Sequence, residues 1–209
     1  MEAKKILVPT IIAVVTLVML VVGATYAYFS VGTDNDFGTR TIQASAAEVG
    51  SVALATGSNL TMNLTAAQMM KSEGGSTYYA STSGTTETAT TATIGTATVT
   101  GAGTFTCTYN LNIAASGTNN MYTAFQGMTG KSTGQIVLTV NGTAYDFNTA
   151  SLFPKTISGT MTGLTKSASQ KITAQLKVVN SATVDQSALA GTDLTLSFTV
   201  SDFECTATA

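Results

Sequence analysis

The sequence predicts an all-β fold, a single antiparallel β-sandwich of jelly-roll-like kind preceded by a hydrophobic N-terminal signal or anchor helix. Three observations lead there. Only 10% of the 209 residues are charged while 44% are hydrophobic, and about a fifth are Thr, a β-branched polar residue suited to the solvent face of a strand. Apolar and polar residues alternate with a period of two in stretch after stretch of the second half. Beyond Ala27 there remain 182 residues, enough for one well-buried domain and short for two.

The first element is the leader. Lys4 and Lys5 form a short positive end, and Ile6 to Val22 then carries no charge. In Gly23-Ala24-Thr25-Tyr26-Ala27, small residues at the third and first places before a cut after Ala27 give roughly the small-x-small pattern that a signal peptidase admits, so cleavage is expected between Ala27 and Tyr28. The alternative is an uncleaved anchor, since a helix over Ile6 to Ala24 spans about 28 Å, nearly a bilayer core. Either way the rest of the chain is expected outside the cell, with the membrane touched only through the leader. The division that follows is 1–27 as signal peptide or anchor, 28–47 as an N-terminal arm, and 48–209 as the sandwich.

The arm is thinly apolar, with Tyr28, Phe29, Val31, Phe37 and Ile42 set among Gly, Thr, Asn and Asp. It reads either as a lead-in with a first strand near Thr39 to Ala46, or as an extended segment that adds to a neighbouring molecule's sheet. Asp34-Asn35-Asp36 lacks the later Gly and Glu ligands of a calcium loop and reads as a turn.

The run Gly23-Ala24-Thr25-Tyr26-Ala27-Tyr28-Phe29-Ser30, followed by Asn35-Asp36-Phe37-Gly38-Thr39, resembles the start of the TasA and camelysin type of secreted surface proteins. That resemblance covers about residues 20 to 42. It implies cutting by a dedicated signal peptidase, a secreted β-sandwich, and polymerisation into extracellular matrix fibres of a biofilm. Two positions depart from the family pattern: Val31 stands where an acidic residue is usual, and Arg40-Thr41-Ile42 replaces the usual Leu-Asp-Leu.

Within 48–209, Leu60-Thr61-Met62-Asn63-Leu64 alternates as a half-buried strand, and Thr65 to Lys71 is expected to follow as a short helix capped by Thr65 with Met69 and Met70 inward. Lys71 to Thr88 is rich in Ser, Thr and Gly and predicts a long loop or irregular hairpin, one ring of Tyr78-Tyr79 packed and one on the surface. Thr90 to Thr100 alternates weakly around Gly95. Gly103 to Ile113 is the strongest strand, with Phe105, Cys107, Tyr109, Leu111 and Ile113 on one face and Thr and Asn on the other. Ser116 to Gly134 reads as a Gly-rich connection anchored by Tyr122, Phe125 and Met128.

Asn141-Gly142 between Gln135–Val140 and Thr143–Phe147 predicts a two-residue hairpin turn. Further strands are expected over Lys155 to Met161 and Gln170 to Val178, then a polar loop to Gly191. In the last strand, from Asp193, Leu194, Leu196, Phe198 and Val200 share one parity while Phe203 and Cys205 take the other. One inserted residue near Ser201-Asp202 restores a common face, so a β-bulge is expected there. Cys107 and Cys205 are the only two cysteines. In an exported chain they predict one disulfide, the alternative being two buried thiols.

Catalytic chemistry finds little to work with. The chain has no His, which removes Ser-His-acid and Cys-His constellations and imidazole zinc sites, and no phosphate-binding Gly-rich loop occurs. No enzyme activity and no cofactor are expected. The formal charge of −2, with no basic run past the leader, argues against a nucleic-acid partner. Sequons at Asn59, Asn63 and Asn141 are chance occurrences in a Thr-rich bacterial chain or sugar sites in another source. The expected function is a structural one: a subunit of an extracellular fibre or surface layer whose partner is itself, assembling by strand addition of its arm. The competing expectation is a monomeric or anchored adhesin that binds ligand through Lys71–Thr88 and Ser116–Gly134.

Overall fold

The computed structural model describes residues 40–42, 50–70 and 74–208. The leader, the Ala27/Tyr28 junction, and Tyr28, Phe29, Val31 and Phe37 of the arm lie outside the described residues.

Among the described residues there are twelve strands: β1 (Arg40–Ile42), β2 (Ser51–Thr56), β3 (Leu60–Asn63), β4 (Thr77–Ala80), β5 (Thr85–Thr86), β6 (Ala92–Thr100), β7 (Thr104–Ser116), β8 (Ile136–Val140), β9 (Thr143–Asp146), β10 (Lys155–Leu164), β11 (Gln170–Val179) and β12 (Asp193–Thr208). One short helix, α1 (Met121–Gly127), and a 3₁₀ turn at Ser187–Leu189 interrupt them. All strand pairings are antiparallel and fall into two sheets. The smaller has the order β10-β7-β12-β3. In the larger, β1-β2-β6 lead to β11, whose first half pairs with β6 and whose end pairs with β4, while β8 and β9 extend the other edge. The inward residues of both sheets form one hydrophobic cluster, making the fold β-sandwich-like.

The alternating runs account for the longest elements. In β7 and β11 every residue assigned inward is buried: Phe105, Cys107, Tyr109, Leu111 and Ile113 on one, Ile172, Ala174, Leu176 and Val178 on the other. Asn141 and Gly142 adopt φ of 47° and 82°, the left-handed values that a two-residue turn joining right-twisted strands requires. Asn141 then prolongs the ladder, its side-chain Oδ1 accepting from the Thr173 N–H at 2.9 Å while its backbone N–H donates to Thr173 O at 3.0 Å.

The bulge lies where parity demands it. Ser201 pairs with Asn110 and Glu204 with Thr108, so three steps along β12 match two along β7, and Asp202 takes φ 51°. The extra residue returns Phe203, 1% exposed, and Cys205, 4% exposed, to the core. Cys205 sits directly opposite Cys107 and the two form a disulfide with Cα atoms 4.0 Å apart. The bond thus joins neighbouring strands of one sheet rather than the two layers.

Three expectations need correction. Thr65 to Met70 is a pair of consecutive tight turns and not a helix, with Met69 N–H donating to Ala66 O and Met70 N–H to Ala67 O. Thr65 does act as a cap, its Oγ1 accepting from Gln68 N–H while Gln68 Oε1 accepts from Thr65 N–H. Met69 is buried, but Met70 is 51% exposed, because a tight turn does not carry both methionines to one side. The Ser116–Gly134 connection contains α1, capped by Asn120, whose Oδ1 accepts from the Tyr122 and Thr123 N–H groups. Met121 and Phe125, one turn apart on that helix, are fully buried.

Elsewhere the expected anchors hold. The described part of the predicted 71–88 loop, residues 74–88, is an irregular hairpin built on β4 and β5, with Tyr78 at 2% exposure and Tyr79 half-buried. Tyr122, Phe147 and Phe153 meet edge to face with centroids 5.3 to 5.5 Å apart, holding the α1 connection to the end of β9.

Candidate assembly surface

The most organised polar surface is the outer face of β10, β7 and β12. It follows from the strand period: with Phe105 to Ile113 inward, β7 turns Thr104, Thr106, Thr108, Asn110 and Asn112 outward. Register sets Thr156 and Ser158 of β10 against Asn112 and Asn110, and these in turn against Thr199 and Ser201 of β12. Two crosswise chains of hydrogen bonds result. Thr156 Oγ1 donates to Asn112 Oδ1 at 2.7 Å, and Asn112 Nδ2 donates to Ser201 Oγ at 3.1 Å. Ser158 Oγ donates to Asn110 Oδ1 at 2.7 Å, and Asn110 Nδ2 donates to Asp202 Oδ2 at 2.8 Å. Each Asn uses its carbonyl on one neighbour and its amide on the other, which fixes its orientation.

This surface offers hydrogen bonds and shape rather than reactive groups. A shallow hollow of about 440 Å³ lies over Gly159, bordered by Asn110, Thr160, Asp202 and Glu204. Both carboxylates are exposed, as expected for the outer side past the bulge, and Asp202 is occupied by Asn110. Among the described residues no group of three or more His, Cys, Asp or Glu is placed to hold a metal ion.

Beneath the hollow Tyr109 lies against Gly159, its partner in register, where a Cβ on residue 159 would overlap the phenol ring. The Tyr109 hydroxyl meets Asn141 Nδ2 at 3.0 Å, a hydrogen bond between the smaller sheet and a hairpin turn of the larger one. Burial pushes the Tyr109 phenol above its ordinary value, and the bond from Asn141 offsets part of that. A second concavity, of about 350 Å³, follows the Asn180–Gln186 loop beside Met69. Its buried polar groups are used by the fold: Asn180 Nδ2 donates to Gln68 O and Met70 O at 2.8 Å each, and Gln186 Nε2 to Val179 O. The exposed Asp185 carboxyl there is held below its ordinary value by the backbone N–H and hydroxyl of Ser187.

The residues singled out in the sequence fall into two groups. Cys107 and Cys205 are brought together. Of the arm residues only Ile42 is described, in β1, where Arg40, Thr41 and Ile42 pair with Leu54, Ala53 and Val52 of the same chain. The loops set aside for ligand binding are largely tied down: Asp193 accepts from the Thr118 and Asn119 N–H groups, and Thr85 Oγ1 donates to Asn63 O. The outer Asn–Ser–Thr chains were legible as a polar face, but their cross-strand partners depend on register. Comparison of the chain with protein-family models, curated protein sequences and solved structures gives no match.

Proposed function

We propose that the chain is a secreted structural subunit that builds an extracellular fibre or surface layer from copies of itself, by adding its N-terminal arm, Tyr28 to Ile42, to a partner's sheet. In this reading a signal peptidase removes Met1 to Ala27 during export, the sandwich has the jelly-roll connection, and the membrane is met only through the leader. The protein works without a cofactor and acts by contact rather than by catalysis.

The observation that carries the reading is β1. Arg40 to Ile42 of the arm already serve as an edge strand among the described residues, antiparallel on β2. A strand so short and so placed can exchange its own β2 for a neighbour's with the same main-chain bonds, which makes assembly by exchange inexpensive. The cross-strand disulfide agrees with life outside the reducing cytosol. Electron microscopy of the exported material tests the reading: fibres are expected from the full arm and none after deletion of residues 28–42. A monomeric exported protein that the deletion leaves unchanged rules it out.

A further inference from the structure

We propose that β10 is a second, independent contact, through which two copies pair edge to edge about a two-fold axis at Ser158 and join their smaller sheets into one. The proposal does not rest on the arm.

Among the described residues β10 closes the smaller sheet with no strand on its outer side. The parity of its free groups can be read from the disulfide. Cys107 and Cys205 form a narrow pair, 4.0 Å between Cα atoms, the spacing of residues that do not exchange main-chain bonds. Cys107 therefore bonds on its other side, to Met161 of β10. Alternation then gives Lys155, Ile157, Gly159 and Met161 to β7 and leaves the N–H and C=O groups of Thr156, Ser158 and Thr160 pointing outward.

This edge lacks the usual protection. Edge strands are guarded by charges, proline and bulges. Here Pro154 stands just before the strand and the register shift between Met161 and Leu164 comes at its far end, so seven residues from Lys155 to Met161 run in unbroken register between the two guards. Lys155 is their only charge.

The partner is a second copy because that window is self-complementary. Its midpoint is Ser158, so two antiparallel copies centred there begin and end at the same guards. Thr156 then faces Thr160 of the second copy on the outer side, a favourable cross-strand pair. On the core side half-buried Ile157 meets the notch at the second copy's Gly159, against the Tyr109 ring. Lys155 faces Met161, so no like charges meet. The Thr and Asn faces of both copies become one continuous polar surface.

Two variants of the full chain test this. Ser158→Cys places two thiols opposite each other, and mild oxidation is expected to give a covalent dimer on a non-reducing gel, in the arm-deleted chain as well as the intact one. Thr160→Pro removes an outward N–H while sparing the bonds to β7. It is expected to weaken pairing at least about tenfold by light scattering while leaving the melting temperature within a few degrees. Persistence of the Ser158→Cys dimer when fibres vanish separates this contact from the arm. The proposal fails if Ser158→Cys stays unlinked. It fails equally if Thr160→Pro leaves association unchanged, or melts the fold without changing its mass, which would place another segment of the same chain on this edge.

Discussion

The two sheets are built from the same residue types but held by different means. In the smaller one, β7 and β12 run 13 and 16 residues side by side, bonded by ladder, disulfide and outer-face Asn chains. In the larger one, β4, β5, β8 and β9 have only two to five residues each, and β11 divides its edge between β6 and β4. Such short strands depend on side-chain substitutes for ladder bonds, as Asn141 on Thr173 illustrates. The smaller sheet is thus the stiff member, and the larger sheet is packed against it.

The contrast breaks most completely if the parity of β12 is reset. Insertion of one residue after Asp202 shifts the chain beyond the bulge by one position and turns Phe203 and Cys205 outward. Thiol labelling of the unreduced protein is expected to find two free cysteines, and the domain to unfold at low denaturant. Removing the disulfide alone, by Ser at positions 107 and 205, leaves parity intact. With the cysteines 98 positions apart, the chain-entropy view gives a loss of about 4 to 5 kcal/mol in denaturant unfolding.

A smaller effect is expected where the sheets meet. Asn141→Ala loses the left-handed preference of the turn, the bond to Thr173 and the bond to Tyr109, together about 2 kcal/mol. The same contact has a pH signature. Because burial raises the folded-state pKa of Tyr109, its neutral form is favoured by folding. That contribution is fully present below the unfolded value of about 10 and is lost as pH rises through the folded value. Wild-type stability should therefore decline above about pH 10 more steeply than that of Tyr109→Phe. The smallest effect belongs to the outer face: Asn112→Ala breaks one exposed and one part-buried bond and is expected to cost about 1 kcal/mol in the same assay.

What could be read in advance follows the same division. Long strands with one buried face announce themselves through period two, and even the β12 bulge was legible because Phe203 and Cys205 violated that period. The Asn141-Gly142 turn was legible because few residue pairs accept positive φ. Helix α1 was hidden, since a single apolar pair, Met121 and Phe125, shows too little of a 3.6-residue period amid Gly and Thr; the Asn120 cap was its one signal. At Thr65–Met70 the cap was real but the chain turned tightly after it. Which strands neighbour one another depends on contacts far apart in sequence, so neither the shared edge of β11 nor the placement of both cysteines in one sheet could be read from local pattern. The outer face of the smaller sheet was visible only as a Thr- and Asn-rich surface, without its cross-strand partners.

Native-state hydrogen exchange, with and without reductant, tests the central contrast most directly. Amides of β7 and β12 around Leu111 and Val200 should exchange slowest, those of β8 and β9 several times faster, and reduction should collapse the difference. Slower exchange in β8 and β9 than in β7 and β12, or protection indifferent to reduction, would contradict the view that the disulfide-stapled smaller sheet is the stiff member of the pair.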